Sequence, residues 1–410
     1  MARMRVLELI APTLFVITGA GFSASAPTPD LCTQLISVLD TGTALAINLK
    51  APASKEIEAS QAEAACRLAL GADPGNPTFM FQLARALALG DKQLDAIKYY
   101  LDAADRGHAG AMNDLGGVFE YGLGVRKNLT TALVWYERAA ELGHAGAMIH
   151  LGRLNEKGVD IPQDFAKARH WYEQAAELGN AEAMNHLANL LRRRRGDVPN
   201  LPAAADWYLK AAQLGLSSAM NSLGELSEGG MGVPQNYQTA HDWYKKAADL
   251  GNADAMHNLG AMFENGRGIS KNLSEAKSWY ERAAALEYPP ALNDLGRLHL
   301  TGAGVPQHYP LAKTLFEQAA ELGHEGAMIH LGQLNEKGLD IPRDFAKAMH
   351  WYEQAADLGN AEAMNNLANM LRQGPGDIPN VPAAADWYLK AAQLGLPSAM
   401  NSLGELSEGG

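Results

Sequence analysis

The sequence predicts an all-α chain folded as a right-handed α/α solenoid of 36-residue helix hairpins. Three observations carry that reading. An alanine pair begins at Ala103, Ala139, Ala175, Ala211, Ala247, Ala283, Ala319, Ala355 and Ala391, always 36 residues apart. The frame around it returns in phase, in one unit as Ala111-Met112, Leu115-Gly116, Gly122-x-Gly124-Val125, Ala132, Trp135-Tyr136, Ala139-Ala140 and Gly143. Within each unit the apolar residues fall at helical spacing. A fixed period of this length marks a stacked array, because a single hairpin cannot bury its apolar face alone.

The chain opens with Met-Ala-Arg-Met-Arg, an apolar run from Val6 to Gly21, and Ala24-Ser25-Ala26. A positive start, a short apolar stretch and a small-x-small site predict a secretory signal peptide over 1–26, cleaved after Ala26. Left uncleaved, the uncharged stretch from Leu9 to Ala26 is just long enough to span a bilayer, so membrane contact is expected only in that form. Residues 27–74 are expected to form an N-terminal helical cap carrying the only cysteines, Cys32 and Cys66. If its two helical segments pair antiparallel, the start of one opposes the end of the other. The thiols can then meet as a disulfide, which export favours; the alternative is two buried free thiols.

Eight full units occupy 111–398, and an incomplete ninth covers 399–410. The first helix of a unit carries Ala111, Leu115, Val118 and Phe119, and the glycines after it stop that helix. The second carries Leu129, Ala132, Leu133, Tyr136 and Ala140 and ends at Gly143. All seven tryptophans share one slot of the repeat, as do eight methionines from Met112 to Met400, so both read as core.

These residues resemble the Sel-one-like repeat family, relatives of the tetratricopeptide repeat. Residues 75–110 look more like a tetratricopeptide unit, with Leu83-Ala84, Leu87, Ala96, Tyr100 and Ala103 in that pattern and an inter-helix loop about four residues shorter than its successors. Glu287 in place of the terminal glycine, Leu315-Phe316 in place of Trp-Tyr, and Arg194 in place of a loop glycine depart from the frame. Local irregularity is expected at Tyr288-Pro289-Pro290.

The resemblance implies an exported bacterial protein, periplasmic or secreted, acting as a non-catalytic scaffold or adaptor in envelope regulation. Its protein or peptide partner would lie in a concave groove lined by the first helices. Two residues after each repeat-starting alanine stand Asn113, Ile149, Asn185, Asn221, His257, Asn293, Ile329, Asn365 and Asn401. An amide there can donate to a peptide carbonyl and accept from a peptide N–H at once, with Arg153 and Arg297 one turn on supplying preference. The alternative is that these asparagines cap helices or bridge repeats.

With 34 basic against 46 acidic residues, a net charge of −12, the chain lacks the attraction that drives non-specific nucleic-acid binding. No zinc, calcium or phosphate-loop spacing occurs among the twelve histidines, two cysteines and many glycines, so no metal, cofactor or catalytic residue is expected. Some secreted members of the resembled family are described as β-lactamases or penicillin binders, which makes a cell-wall enzyme the alternative reading. Its one trace is Ser274-Glu275-Ala276-Lys277, without the partner motifs that chemistry needs. The basic run Arg192 to Arg195 reads as a solvated loop.

Residues 144–230 and 324–410 align without gaps at an offset of 180, with 14 differences in 87 positions. The first copy continues into a second helix, Asn236–Leu250, and the second stops at Gly410. That stop predicts a truncated reading frame rather than an end-on self-association site.

Overall fold

The computed structural model describes residues 29–40, 53–193, 199–340, 342–374 and 379–408. The signal segment 1–26, Arg194 and Arg195 lie outside the described residues. All described elements are helices. α1 (Pro29–Asp40) and α2 (Ala53–Ala72) precede a first hairpin of α3 (Pro77–Leu89) and α4 (Gln93–Asp105). The hairpins that follow pair a first helix A with a second helix B. They are α5 (Ala109–Tyr121) with α6 (Leu129–Glu141), α7 (Ala145–Lys157) with α8 (Phe165–Glu177), α9 (Ala181–Arg192) with α10 (Leu201–Gln213), and α11 (Ser217–Gly229) with α12 (Tyr237–Asp249). Next come α13 (Ala253–Asn265) with α14 (Leu273–Ala284), α15 (Pro289–Thr301) with α16 (Tyr309–Glu321), α17 (Glu325–Lys337) with α18 (Phe345–Asp357), and α19 (Ala361–Gln373) with α20 (Val381–Gln393). An A helix, α21 (Pro397–Glu408), ends the series. The chain forms two compact units, divided between Trp171 and Tyr172 within α8.

Local chemistry fixes the helix ends. At the start of the A helices, His108, His144, Asn180, Asn252, His324 and Asn360 accept the backbone N–H three residues on, satisfying a donor the helix leaves orphaned. The B helices use Asn128, Asn200, Asn236, Asn272 and Asp344 in the same way. Three residues join α3 to α4, from Gly90 to Lys92, whereas seven join α5 to α6. The longer loop is pinned: the Asn128 amide donates to the Phe119 carbonyl at 2.8 Å, and Asn236 to Ser227 and Asn380 to Leu371 repeat the bond at 2.8 Å.

The core runs between A and B helices. Ala111, Met112 and Leu115 from α5 and Ala132, Tyr136 and Ala139 from α6 are buried, and the same slots are buried in each later hairpin. Small residues let the backbones approach. At Gly116 the approach is extreme, since a Cβ there would lie 2.4 Å from the Tyr136 ring.

One sequence expectation changes. Of the seven tryptophans only Trp279 is buried; the others are half-buried, and the tyrosine that follows each is the core aromatic. Lys210 and Lys390 lie 3.8 Å over Trp207 and Trp387, so each exposed indole face carries a cation. Met400 is 49% exposed, whereas its counterpart Met220 is buried. At Glu287 the array continues without a break. Glu287 takes the left-handed conformation, φ 56°, where its neighbours use glycine, and α14 ends one residue early.

Cys32 on α1 and Cys66 on α2 form a disulfide, with Cα atoms 4.8 Å apart. Buried Gln82 of α3 stands against it: its Oε1 lies 3.0 Å from Cys32 Sγ, and its Nε2 donates to Thr33 Oγ1 at 3.1 Å. A bonded sulfur has no proton to donate, so the sulfur–oxygen approach is a contact. Gln82 thereby ties α1 to the first hairpin.

Candidate functional site

The A-helix face carries the residues that the sequence singles out. Asn113, Asn185, Asn293 and Asn365 are half-buried, Asn221 is buried and Asn401 is exposed. Their amides do not act alike. Asn221 bridges repeats: its Oδ1 accepts from Asn258 Nδ2 at 3.0 Å and its Nδ2 donates to Glu225 at 2.9 Å. His257 meets Asp294 across the next interface at 2.9 Å, the same pairing of slots with different residues. Asn113, Asn185, Asn293 and Asn365 instead hold an Oδ1 that is shielded from solvent and has no donor. For Asn113 and Asn293 that oxygen faces the first turn of the following A helix, 3.8 Å from where a Cβ on Gly146 or Gly326 would stand. There the positive end of the helix offsets part of its desolvation. A two-way amide contact with a peptide is therefore closed at these four. Asn113 Nδ2 donates to Asp114 at 3.1 Å.

Arg153 and Arg297 are engaged as well. Arg153 donates to Glu120 at 2.6 Å and to the Tyr121 hydroxyl at 2.9 Å. Arg297 donates to Glu264 at 2.7 Å and to Asp294 at 3.3 Å. Each pair joins consecutive repeats at a separation of 33 residues. Where the first slot holds Arg192 or Arg372, the second holds Glu225 or Glu405, and the bond forms in reverse at 2.7 and 3.0 Å. Opposite charges recur at this contact while their order does not.

Beneath lies a second polar ladder that the sequence reading missed. Tyr136, Tyr244, Tyr280 and Tyr352, buried on B helices, donate to Glu120, Glu228, Glu264 and Glu336 at 2.7–2.9 Å. Burial and the adjoining carboxylate push these phenols above their ordinary range, so they remain donors. In α9 and α19 the acid slot is Arg192 or Arg372, and Tyr208 and Tyr388 turn to Asn189 and Asn369 at 2.7 Å. The findable signal was the joint recurrence of Glu and Tyr sixteen residues apart.

Histidines serve this architecture. His150, His186 and His330 stack on Tyr136, Tyr172 and Phe316 of the preceding repeat, with ring centroids 4.7, 5.1 and 4.6 Å apart. Burial, then the nearby Arg153 charge, lowers His150 to about 4. Burial also lowers His108, His144, His324 and His330.

One open pocket of about 440 Å³ lies in the second unit. Arg192, Glu225, Glu228, Tyr244 and Arg267 line it. Its charges are paired internally, Arg192 to Glu225 at 2.7 Å and Arg267 to Glu228 at 2.8 Å. Among the described residues no group of three metal-ligating side chains converges. Ser274 is exposed at the start of α14, and Lys277 pairs with Glu281 at 2.7 Å rather than with the serine. Among the described residues no helix is long and apolar enough to cross a membrane.

A family model described as the Sel1 repeat matches nine consecutive segments: 78–108, 109–144, 145–180, 181–216, 217–252, 253–288, 289–324, 326–360 and 361–396. Its first segment falls on the unit that resembles a tetratricopeptide hairpin. A search of curated proteins gave no match. Two solved structures share both fold and sequence. A Sel1 repeat protein from Oxalobacter formigenes is 27% identical with a TM-score of 0.59, over 80% of this chain and 98% of that one. A protective antigen of uropathogenic Escherichia coli with an SLR fold is 28% identical with a TM-score of 0.57, over 93% of this chain and 80% of the other. The fold is a repeat scaffold of the kind that commonly serves protein interaction. On its repeat frame, its hairpin geometry and these matches, the chain belongs to the Sel1 repeat family.

Proposed function

We propose that this protein is an exported, non-catalytic scaffold of a bacterial envelope that binds a protein or peptide along its A-helix face. The carrying observation is that one face repeats its polar residues in fixed register and ties its arginines and glutamates to neighbouring repeats. Such pairing rigidifies a surface and supplies no group poised for bond-breaking. Ser274 and Lys277, the one trace of an acyl-transfer motif, are not joined. With their oxygens buried, Asn185, Asn293 and Asn365 have only the Nδ2 donor to offer a ligand. They can therefore grip carbonyl oxygens of an extended chain without accepting from its N–H groups. Export is supported by the leader pattern of residues 1–26 and by the bonded cysteines, since disulfides persist in oxidising compartments.

The test is capture of partners from envelope extract, followed by affinity measurement with Asn185→Ala, Asn293→Ala and Asn365→Ala combined. Each hydrogen bond is worth ~1 kcal/mol, so the triple change is expected to weaken binding on the order of a hundredfold. Unchanged affinity in the folded variant removes the A-helix assignment. Nitrocefin hydrolysis abolished by Ser274→Ala would establish the enzyme instead.

A further inference from the structure

The turn from each B helix to the next A helix carries a surface that neither the core nor the A-helix face uses. From Leu178 to Leu394 a leucine recurs every 36 residues just before this turn, and each is 47–58% exposed. Helix termination does not ask for it. The glycine that follows does the stopping, as Gly251 does at φ 84°. In α4 the same slot holds Arg106, and Gly107 still turns the chain at φ 81°. Exposure of this order also means that burial in the core does not select the leucine. A single exposed leucine is ordinary, whereas seven in register make a patch that marks an interaction surface.

Acids flank four of the seven leucines. Glu177, Asp249, Glu321 and Asp357 immediately precede them, and Glu182, Asp254 and Glu362 follow four residues on; all are exposed. The first four occupy the last turn of a helix, where the negative end of the dipole disfavours a carboxylate, so helix stability does not select them. From the residue before each leucine to the fourth after it, no lysine or arginine occurs in these turns. The cations one turn back are held elsewhere: Lys210, Lys246, Arg282 and Lys390 lie over tryptophans at 3.8, 4.3, 4.2 and 3.8 Å. Asp249 pairs with Lys245 and Asp254 accepts from Tyr288, which leaves Glu177, Glu182, Glu321, Asp357 and Glu362 to set the charge.

We infer that these leucine turns of the second unit dock a basic amphipathic polypeptide, its apolar side chains on the leucines and its lysines or arginines on the flanking carboxylates. Charge complementarity selects this occupant. A second copy of the chain would bring carboxylates against carboxylates, and an anionic bilayer would be repelled. The inference rests on residues other than those of the A-helix reading, whose asparagines stand seven residues after the leucines.

The test titrates the full oxidised chain with a synthetic amphipathic helix of leucine and lysine, and with the same peptide bearing glutamate for lysine. The lysine peptide is expected to bind, more weakly as salt is added, and the glutamate peptide not to bind. Leu214→Ser, Leu250→Ser and Leu286→Ser combined should lower affinity at least tenfold with an unchanged thermal midpoint. Should that variant unfold, Leu250→Lys alone gives the same reading from one exposed position. Glu177→Gln, Glu321→Gln and Asp357→Asn combined should weaken binding and flatten its salt dependence. The triple change at Asn185, Asn293 and Asn365 should leave it intact. Equal affinity of the leucine variant and the parent overturns the inference. So does a dimer in sedimentation that the leucine variant dissolves, or adsorption to phosphatidylglycerol vesicles.

Discussion

Phe316 stands where other B helices carry a buried tyrosine, and Leu300, sixteen residues before it, stands where their A helices carry the accepting glutamate. Phe316 is fully buried and Leu300 packs against the same core cluster. Donor and acceptor are thus lost together, as expected if an unpaired member is costly and an apolar pair is not. The chain has run its own double substitution.

Tyr352 and Glu336 give the cleanest version of this exchange. Tyr352→Phe is expected to destabilise by about 1 kcal/mol, and Glu336→Leu by about 1–3 kcal/mol, since it leaves a buried hydroxyl without an acceptor. The double variant should recover most of the loss. Urea unfolding of the four proteins measures the coupling, and simple additivity would show that the bond contributes nothing.

Gly332 and Gly404 occupy one slot of the repeat and should respond oppositely to alanine. A Cβ at Gly332 would lie 2.4 Å from the Tyr352 ring, whereas one at Gly404 meets nothing within 4 Å. Overpacking costs ~1–3 kcal/mol, against a helix-propensity gain of up to ~1 kcal/mol. Gly332→Ala should lower stability and Gly404→Ala should raise protection of α21 in hydrogen exchange. The reverse order would contradict the packing.

Asn221 and Asn293 separate bridging from its absence. Asn221→Ala removes acceptor and donor from two bonds and should cost about 1–2 kcal/mol. Asn293→Ala removes an amide oxygen that is buried without a donor, and stability should stay within ~0.5 kcal/mol of the parent or rise. Thermal unfolding of the two variants decides between them.

Acid should loosen the array before its carboxylates titrate. His108, His144 and His324 accept backbone N–H bonds through Nδ1, which only an unprotonated Nδ1 can do. Burial lowers all three, together with His150, held at about 4, and His330. A base lowered on folding leaves the unfolded chain binding more protons in the window between its two values. Stability should therefore be complete above the ordinary histidine value of 6.5 and fall as pH drops from there toward 4. Urea midpoints across that range measure the slope. Asparagine caps the same position at Asn180 and Asn252, so His144→Asn and His324→Asn should keep stability at neutral pH and reduce the slope.

Reduction should act at one end. The cysteines are 34 residues apart, and closing a loop of that size stabilises by about 3–4 kcal/mol in the chain-entropy model. Dithiothreitol is expected to raise hydrogen exchange in α1 and α2 and leave α9 to α20 unchanged, because repeats couple mainly to their neighbours. Uniform loss along the chain would refute local coupling.

The sequence by itself determined the period, the all-helical class, the two helices of each hairpin and most of their ends, because each depends on spacing and capping within a few residues. The glycine after most B helices, the asparagine or histidine before most A helices and the stripe through Ala111 and Leu115 are local signals. Which aromatic is core was not local. Trp135 and Tyr136 are adjacent and equally periodic, and only the approach of Gly116 to the Tyr136 ring places the tyrosine inside. The asparagine slot was visible as a recurrence, but what each amide oxygen faces lies 33 or 37 residues away. Asn221 finds Asn258, whereas Asn113 and Asn293 face a glycine in the first turn of the next helix. The tyrosine–glutamate and arginine–glutamate ladders likewise join residues 16 and 33 apart. Those distances close only when one helix packs on the next, so the sequence set the register and tertiary packing chose each polar group's partner.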